Sequence, residues 1–458
     1  MAILSKRAVL WLVLACGAAA ASQPNNAEIL RRVVWKKSVL EADAIRAEQG
    51  LLICTGSGGL TVLEAKSGRE VRRFAPQPNA AGRYCIPVPG GLGLLFSGDH
   101  YAKPQVGVVL DALTGKERLR LEAGEGRFGR VCCDPERGEL YAALPDGANK
   151  LKLTAYDAKD GAKKWELPLG TGLYRVSGTV VYYATREAPP GAAVQEQNLL
   201  GELVRAFDRE NNKVLWERRL PNGRSVSEMQ ISGARLILTT RAQLARREDL
   251  AGGGRAGEEG LLALDLADGT ERWSYWPGEA GHLHAEHTNA AGQAVNSATV
   301  HRGSISATLA TEDEIYAGGY GVVFGLNAGD GKELWKLKLP ERVYGYSPEV
   351  RAALEKQGLS AKGASMPADV YAVALKDYTV YYSSHDGLHA YDLTAQRERW
   401  RFVPPEGGAR GFVVDGDRLY LIAGPQHDTI DYALGMRAPG KRQAVNVSVY
   451  ALDVKEGK

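Results

Sequence analysis

The sequence has few cysteines, no large excess of either charge and only one long apolar run. Its 57 Lys and Arg residues face 54 Asp and Glu residues, and setting aside Lys6 and Arg7 leaves 55 basic residues against 54 acidic ones. Nucleic-acid binding needs a basic footprint, which this balance does not provide. The chain also lacks a Gly-x-Ser-x-Gly elbow, a phosphate-binding loop and a zinc-protease helix, so no nucleophile stands out.

The single apolar run lies at the N-terminus, where Lys6 and Arg7 precede the apolar segment 8–15 and small residues as far as Ala21. This pattern predicts a secretory signal over 1–21, too short to span a bilayer, and an exported mature chain over 22–458. A second interpretation stays open, in which the segment ending at Cys16 is a lipoprotein processing site. We expect a location in the periplasm or cell envelope, with membrane contact only through a lipid on Cys16.

Cleavage at this signal leaves four cysteines, namely Cys54, Cys85, Cys132 and Cys133. An even number in an oxidising compartment permits two disulfides in any of three pairings. Cys85 lies at the position of its repeat that corresponds to the position of Cys132 and Cys133 in the next repeat. Three hypotheses stay open: a vicinal disulfide, a bridge from Cys85 to one of the pair, and buried free thiols.

A repeat dominates the remaining sequence. A short strand ends in an acidic or amide residue, a tight turn follows, and in most copies an aromatic or aliphatic residue eight positions later opens the next strand. The eight copies begin at Glu64, Asp111, Asp157, Asp208, Asp265, Asn327, Asp392 and Asp453. In five of them the later residue is a tryptophan, namely Trp165, Trp216, Trp273, Trp335 and Trp400. We expect these indoles to fill the wedges between neighbouring units.

Apolar and polar residues alternate with a period of two in each repeat, which predicts four strands per unit. Eight such sheets arranged radially make an all-β, eight-bladed β-propeller of four-stranded blades. The eighth copy ends at the C-terminus before its last strand, whereas Trp35 near the N-terminus has no strand and turn of its own. The sequence therefore predicts that residues 28–40 supply the missing strand and close the ring.

Long insertions of two classes are expected from the fourth to the eighth blade. Those at 187–201, 241–259 and 425–444 lie between the second and third strands of a blade, and those at 277–303 and 341–369 join the fourth strand of one blade to the first strand of the next. In an up-and-down blade, loops of these two classes emerge on the same face, which predicts an insertion-rich face suited to binding. The candidate partner-binding residues on it are Arg241, Arg246, Arg247, Tyr344, Tyr346 and Tyr432. Ser347, Pro348 and Gly358 predict a short helix in one insertion, and 239–254 predicts a second, basic helix.

Histidines suggest a further candidate site in the segment GHLHAEHTNAAG, which contains His282, His284 and His287. Three imidazoles at this spacing can ligate zinc or copper, and the alternative is a set of solvent-facing histidines in a loop. His385 and His389 flank an Asp-Gly turn in the seventh blade, where we expect His389 to pack inside the blade.

The fullest repeats, A-x-D-x-x-(T/D)-G-x-x-x-W, resemble the pyrroloquinoline quinone (PQQ) repeat of eight-bladed propellers over essentially the whole mature chain. One branch of that family, the quinoprotein dehydrogenases, holds PQQ and a calcium ion over the propeller axis. The other is a cofactor-free scaffold branch, typified by the propeller lipoprotein of the outer-membrane β-barrel assembly machinery. Such a resemblance implies the fold and does not choose between the two activities.

The segment CCDPERGELY is similar to quinoprotein alcohol dehydrogenases, in which adjacent cysteines form a disulfide ring that packs on the quinone. This chain is one residue shorter before Arg137 and Gly138, and the sequence contexts of the dehydrogenases' calcium site and catalytic Asp are not found in it.

Three functional hypotheses follow from the sequence and its resemblance. The first is an exported, non-catalytic platform for protein binding or assembly, without a cofactor. The alternative is a PQQ-dependent oxidoreductase using PQQ with calcium, or a small-ligand sensor, with Cys132 and Cys133 near the ligand. The third is a metal-handling or redox-complex subunit that uses the His282 segment.

Overall fold

The structure is a computed structural model, and the residues it describes are 26–40, 42, 44–56, 59–74, 82–88, 91–97, 106–122, 131–134, 137–146, 151–169, 173–186, 201–221, 223–242, 259–277, 282–288, 294–301, 305–319, 321–344, 348–358, 364–367, 370–384, 386–424 and 446–454. Eight four-stranded antiparallel sheets contain most of the described strands. The chain is therefore an eight-bladed β-propeller, as the repeats predict.

Helix α1 (Asn26–Leu30) and strand β1 (Val33–Leu40) precede the first complete blade. Blade 1 contains β2 (Ala44–Glu48), β3 (Leu51–Gly56), β4 (Gly59–Glu64) and β5 (Glu70–Phe74). Blade 2 contains β6 (Gly82–Val88), β7 (Gly91–Ser97), β8 (Val106–Asp111) and β9 (Glu117–Glu122). Blade 3 contains β10 (Val131–Asp134), β11 (Glu139–Pro145), β12 (Leu151–Asp157) and β13 (Lys163–Pro168). Blade 4 contains β14 (Tyr174–Ser177), β15 (Val180–Thr185), β16 (Leu203–Asp208) and β17 (Lys213–Arg219).

Blade 5 contains β18 (Arg224–Ser232), β19 (Arg235–Ala242), β20 (Glu259–Asp265) and β21 (Glu271–Tyr275). The hairpin β22 (His282–Thr288) and β23 (Ala294–His301) follows. Blade 6 contains β24 (Ala307–Ala310), β25 (Glu314–Gly319), β26 (Val322–Asn327) and β27 (Glu333–Lys338). Next come β28 (Glu341–Tyr344), helix α2 (Pro348–Lys356) and β29 (Ala364–Pro367). Blade 7 contains β30 (Val370–Lys376), β31 (Thr379–Ser384), β32 (Gly387–Asp392) and β33 (Arg397–Phe402), and blade 8 contains β34 (Gly408–Asp415), β35 (Arg418–Gly424) and β36 (Asn446–Asp453).

The N-terminal strand closes the ring. β1 pairs antiparallel with β36, which puts Trp35 opposite Ala451 and Lys36 opposite Tyr450. Glu406 accepts hydrogen bonds from both the Lys36 ammonium and the Tyr450 hydroxyl. The prediction that the N-terminal strand closes the ring is therefore confirmed, and β1, which lies within the predicted segment 28–40, is the strand that completes the eighth blade.

The core lies in the wedges between blades. The described residues form eight buried apolar clusters, and each cluster joins two neighbouring blades. The first strands of most neighbouring blades also contact one another around the axis. Because each blade buries both faces against its neighbours, the strands contain many consecutive buried residues, as in β4 and β20.

Three tryptophans, Trp35 of the closing strand and two of the repeat, bind the turn of the next blade in the same way. Their indole rings cover a glycine held at positive φ, where a Cβ atom would lie within 2.8 Å of the ring; these glycines are Gly68, Gly269 and Gly331. Their Nε1–H groups donate to backbone carbonyls in that turn: Trp35 to Ala65 at 3.1 Å, Trp216 to Leu266 at 2.9 Å and Trp273 to Ala328 at 2.9 Å. These tryptophans therefore fill the wedges between blades, as predicted, and each also donates a specific hydrogen bond to the backbone of the next blade.

Two other repeat tryptophans lack this hydrogen bond. The buried Nε1 atoms of Trp165 and Trp335 have no hydrogen-bond partner among the described residues. In the next blade, the turn position that elsewhere holds glycine is Asn212 or Gln396, each at positive φ. A side chain at this position occupies the space that the indole covers in the other blades, so these tryptophans cannot dock in the same way. Trp165 packs instead beneath the Arg209 guanidinium, and Trp335 stacks on Tyr391.

Candidate functional site

The insertion-rich face has secondary structure of its own. The segment 277–303, predicted as a loop, instead forms the hairpin of β22 and β23, with His282 opposite His301. The segment 341–369 forms a second hairpin, in which Glu341 of β28 lies opposite Pro367 of β29. β22 and β29 contact each other, so the two insertions join above blades 5 to 7. This joined pair of hairpins is a structured surface on one side of the ring.

Helix α2 lies within the second insertion and agrees with the helix predicted there. Pro348 is its first residue, where a missing N–H has no cost, and Gly358 follows its end at a φ of 71°. Leu354 is buried, which anchors the helix on one side. Arg351, Glu355 and Lys356 are exposed on the described part of its surface.

The prediction of a basic helix at 239–254 is wrong at its start. Thr239, Thr240, Arg241 and Ala242 continue β19, because they pair with β18 and Arg241 also pairs with Glu259 of β20. Residues 243–258 lie outside the described residues, and with them Arg246 and Arg247. Cross-strand pairing over the whole length of β19 overrides the local helical pattern of this segment.

An aromatic platform lies where the first insertion leaves blade 5. Trp276 folds over Gly260, where a Cβ atom would lie 1.9 Å from the indole ring. The Arg224 guanidinium lies 3.5 Å from the centroid of the same ring, which is a cation–π contact. Trp276 keeps 37% of its surface exposed, so part of the indole is accessible on the insertion-rich face.

Two glutamates, Glu259 buried and Glu202 partly buried, bind successive blades together at this face. Glu202 accepts the backbone N–H of Val226 at 2.8 Å, and Glu259 accepts that of Ile305 at 3.1 Å. An arginine at the end of the preceding strand neutralises each carboxylate: Arg186 lies 2.9 Å from Glu202, and Arg241 lies 3.1 Å from Glu259. Arg241, a candidate partner-binding residue, is thus half-exposed and tied to the scaffold, and partner binding by Arg241 stays a prediction.

The other candidate partner-binding residues are only partly accounted for. Tyr344 ends β28, and its side chain lies outside the described residues. Tyr346 and Tyr432 also lie outside them. The sequence-based prediction missed Trp276 and Arg224. A signal for Trp276 was present, because this second tryptophan follows the repeat tryptophan Trp273 by three residues and precedes Pro277, which no other repeat shows.

Cys132 lies at the interface of blades 3 and 4. Its thiol is 3.6 Å from the Tyr174 hydroxyl, which itself donates to the Tyr141 carbonyl at 2.9 Å. Cys133 follows on β10, and Cys85 lies on the neighbouring β6, but the side chains of both lie outside the described residues. The disulfide pairing and the placement of Cys132 and Cys133 near a ligand therefore stay predictions.

Cys54 is a buried free thiol on β3. Burial raises the pKa of this thiol to about 12. The thiolate is the reactive form of cysteine, so Cys54 acts as a small apolar residue in the core.

The histidines of the predicted metal site, His282, His284 and His287, lie on β22, where only the backbone is described. Among the described side chains, no group of three or more His, Cys, Asp or Glu residues could hold a metal ion. Metal binding by β22 stays a prediction.

His389 is buried in blade 7 within a polar network. Its Nδ1 lies 2.7 Å from Glu398 and its Nε2 lies 2.9 Å from Asp386, so both ring nitrogens face carboxylates. Tyr382 stacks on the imidazole at 4.5 Å, and Arg401 lies 3.2 Å from Asp386. Burial alone lowers the pKa of His389, but the two carboxylates outweigh burial and raise it above its ordinary value. The two carboxylates thus favour the protonated form of His389 in the folded blade.

Comparisons with known proteins agree with this architecture. The family model of the outer membrane protein assembly factor BamB matches residues 56–188 and 149–458. A search of curated protein sequences finds no significant match. Among the described residues, no helix has the length and apolarity that a membrane crossing requires.

Three solved structures match most of this chain at low sequence identity. The computationally designed Ika8 protein is 11% identical, with a TM-score of 0.54 over 91% of this chain and 98% of its own. BamB from Moraxella catarrhalis is 12% identical, with a TM-score of 0.49 over 93% and 99% of the two chains. A europium-containing methanol dehydrogenase is 13% identical, with a TM-score of 0.49 over 94% and 95%. The likeness to the designed protein supports the fold alone. Because the family model covers most of the sequence, the chain belongs to the PQQ-like repeat β-propeller family of the outer membrane protein assembly factor BamB.

Proposed function

We propose that this protein is an exported, non-catalytic platform that binds or assembles other proteins through its insertion-rich face. The observation that carries the proposal is the pair of contacting hairpins with helix α2 on one side of a closed ring. Structured loops on a rigid scaffold are where binding residues concentrate. The named member of the family, an outer membrane protein assembly factor, gives this proposal its class of function.

The proposed location is the periplasm or cell envelope. The pattern of residues 1–21 supports export, and the family's name refers to assembly at the outer membrane. The proposed partners are proteins, and a lipid on Cys16 is the one membrane attachment that the sequence suggests.

The accessible chemistry of the face suits protein partners. Trp276 with Arg224 offers an aromatic ring and a guanidinium, the two groups that contribute most often to binding energy at interfaces. Arg351 and Lys356 add two basic side chains on the exposed side of α2, beside the carboxylate of Glu355. A partner segment with acidic and apolar side chains complements this combination.

The test is crosslinking of the mature protein in its own envelope fraction, followed by mass spectrometry. In one variant, Arg351→Glu with Lys356→Glu replaces the two basic side chains of α2 by acidic ones. The matched control, Lys213→Glu with Arg397→Glu, makes the same charge change at exposed outer-strand positions in blades 4 and 7. We expect the α2 variant to lose its specific crosslinks by about tenfold, because a few central contacts dominate an interface, whereas the control keeps them. Equal crosslinking by the wild-type protein and a variant with 345–363 replaced by a Gly-Ser turn would contradict the proposal.

Absorbance distinguishes this proposal from the quinoprotein hypothesis. Purified mature protein, with and without added PQQ and calcium, is passed through gel filtration before its spectrum is recorded. We expect no quinone band in the protein fraction. A retained band would favour the oxidoreductase or sensor hypothesis and direct mutagenesis to Cys132 and Cys133.

A further inference from the structure

A cleft lies on the face opposite the insertions, where the short turns of blades 5, 6 and 7 meet. Its lining includes Arg235 from blade 5, Glu312, Asp313 and Leu334 from blade 6, and Asp377 and Tyr378 from blade 7. The cleft is formed entirely by short, well-packed turns and strand ends. It is therefore a fixed feature of the scaffold and independent of the insertion-rich face.

Apolar surface is exposed at this cleft. Tyr378 is 60% exposed and Leu334 is 46% exposed, the first of these being the largest exposed fraction among the described large hydrophobic residues. Each belongs to a different blade, and the two flank the same depression. An exposed aromatic and aliphatic pair in a concave surface is a common feature of peptide-binding sites.

Tyr378 is also an unusual residue for its turn. Asp377 and Tyr378 form a two-residue turn between β30 and β31, with φ values of 46° and 58°. The equivalent turn in blade 1 is Gln49 and Gly50, with glycine at the second position. A bulky residue with positive φ is unfavourable, so the fold alone favours glycine at 378. The exposed Tyr378 ring is therefore present although its positive φ makes the backbone conformation unfavourable for a bulky residue.

The cleft is strongly acidic. Its charged lining residues are four carboxylates, from Glu312, Asp313, Glu314 and Asp377, and the guanidinium of Arg235, for a net charge of −3. Glu314 accepts a hydrogen bond from the Tyr316 hydroxyl, whereas Glu312, Asp313 and Asp377 are exposed. Within the described part of the chain no group of His, Cys, Asp or Glu residues that could hold a metal ion is found, here or elsewhere. Spread negative charge around an apolar centre suits an extended cationic segment.

We propose that this cleft is a second docking site, which binds a basic, extended segment of a partner protein with alternating Arg and apolar side chains. One Arg of the segment stacks on the Tyr378 ring and others lie among the carboxylates of Asp313 and Asp377, while a neighbouring apolar side chain contacts Leu334. The two faces of the ring then hold different partners: the insertion-rich face takes an acidic and apolar surface, and the cleft takes a basic segment.

The test uses the peptide Gly-Arg-Leu-Arg-Leu-Arg-Gly-amide, which has fluorescein attached to its N-terminal amine, and measures its binding by fluorescence anisotropy. A matched peptide with Glu in place of Arg is the ligand control. We expect the Arg peptide to bind the wild-type protein at about 20 mM NaCl. Its binding should weaken at about 200 mM NaCl because salt screens the charges. The Glu peptide should not bind. Absence of Arg-peptide binding at low salt overturns the proposal.

Two variants of the cleft locate the site. Tyr378→Gly removes the ring but suits the turn, so we expect about tenfold weaker binding together with an unchanged or higher unfolding temperature. A merely structural role for Tyr378 predicts the opposite pattern. Asp313→Asn with Asp377→Asn is expected to weaken binding by a similar factor and to reduce its salt dependence.

Two control variants separate this site from other surfaces. Glu210→Gln removes one exposed carboxylate from a blade 4 turn on the same face, outside the cleft, and should leave binding unchanged. Replacing 345–363 by a Gly-Ser turn, which tests the insertion-rich face, should also leave it unchanged. Undiminished binding by both the Tyr378→Gly and the Asp313→Asn, Asp377→Asn proteins overturns the proposal, whatever the outcome for the insertion-rich face.

Discussion

A single turn residue decides whether a repeat tryptophan docks on the next blade. Where the turn holds Gly68, Gly269 or Gly331, the indole covers the glycine and donates to a backbone carbonyl. Where it holds Asn212 or Gln396, the indole N–H of the preceding blade is buried without a partner among the described residues. An unpaired buried donor costs about 1–3 kcal/mol, so the two exceptional wedges are weaker than the other three.

Exchanging these turn residues should change stability in opposite directions. Gln396→Gly removes a non-glycine residue from a φ of 52° and clears the space that Trp335 needs for docking, so we expect a gain of about 1 kcal/mol. Gly269→Ala puts a Cβ atom 2.5 Å from the Trp216 ring at a φ of 71°, and we expect a loss of about 2–3 kcal/mol. Urea unfolding monitored by tryptophan fluorescence measures both. A loss of stability in Gln396→Gly would contradict the docking model.

His389 makes blade 7 sensitive to pH. Its folded-state pKa is raised above the ordinary value of 6.5, because Asp386 and Glu398 favour the protonated ring more than burial opposes it. A raised folded pKa means that the stabilisation is fully present below the ordinary pKa. It is lost as the pH rises through the folded-state pKa. Arg401, which also faces Asp386, and the stacked Tyr382 complete the group of side chains around the ring.

We therefore expect the free energy of unfolding to decrease as the pH rises from about 6.5 to alkaline values. His389→Asn should remove this dependence and cost about 3 kcal/mol at low pH, because two partly buried carboxylates lose their positive partner. Glu398→Gln serves as the second variant: it keeps the shape of the site, lowers the pKa of His389 and moves the transition to lower pH. Identical pH profiles for wild-type and His389→Asn proteins would show that His389 is not the titrating group.

At the scale of elements, the blades could be predicted because their signals are local. An acidic residue, a turn and a tryptophan eight residues later define two strands and the turn between them, and eight copies define the ring. Blade 1 and blade 2 were recognisable from spacing alone, although Arg72 and Leu119 replace the tryptophan. In the structure, these side chains lie against Gly115 and Gly161, the glycines of the next blade's turn.

The insertions could not be predicted in the same way. The residues of β22, HLHAEHT, have little strand propensity, and their pairing with Ala294–His301 is a cross-strand interaction. The apparent helix at 239–254 failed for the related reason that β19 continues through Ala242 between two partner strands. Only α2 was recognisable, because Pro348 and Gly358 mark its ends in the local sequence. The sequence thus indicated where the candidate site lies, and long-range contacts determined its shape.

At the scale of the whole molecule, the ring joins the two ends of the chain in one blade. β1 covers the edge of β36 along its length, with Leu40 opposite Asn446, and Trp35 covers Gly68 of blade 1. The closing contacts therefore stabilise two wedges. Ile29 packs in the wedge between blades 7 and 8, and Val39 packs in the wedge between blades 8 and 1. A closed ring leaves only short, outer edges exposed, which protects the sheets from pairing with other chains.

Removal of residues 28–40 should therefore prevent the chain from forming a stable monomer, because the edge of β36 and the Gly68 turn both lose their cover. We expect aggregation in gel filtration, and recovery of the monomer when a synthetic peptide of residues 28–40 is added during refolding. Two altered peptides test the register. Val39→Asp places a charge at a position that is 1% exposed and should not restore the monomer, whereas Ser38→Asp places the same charge at an exposed position and should. A stable monomer without residues 28–40, or equal recovery with both altered peptides, would show that closure by β1 is not required for folding.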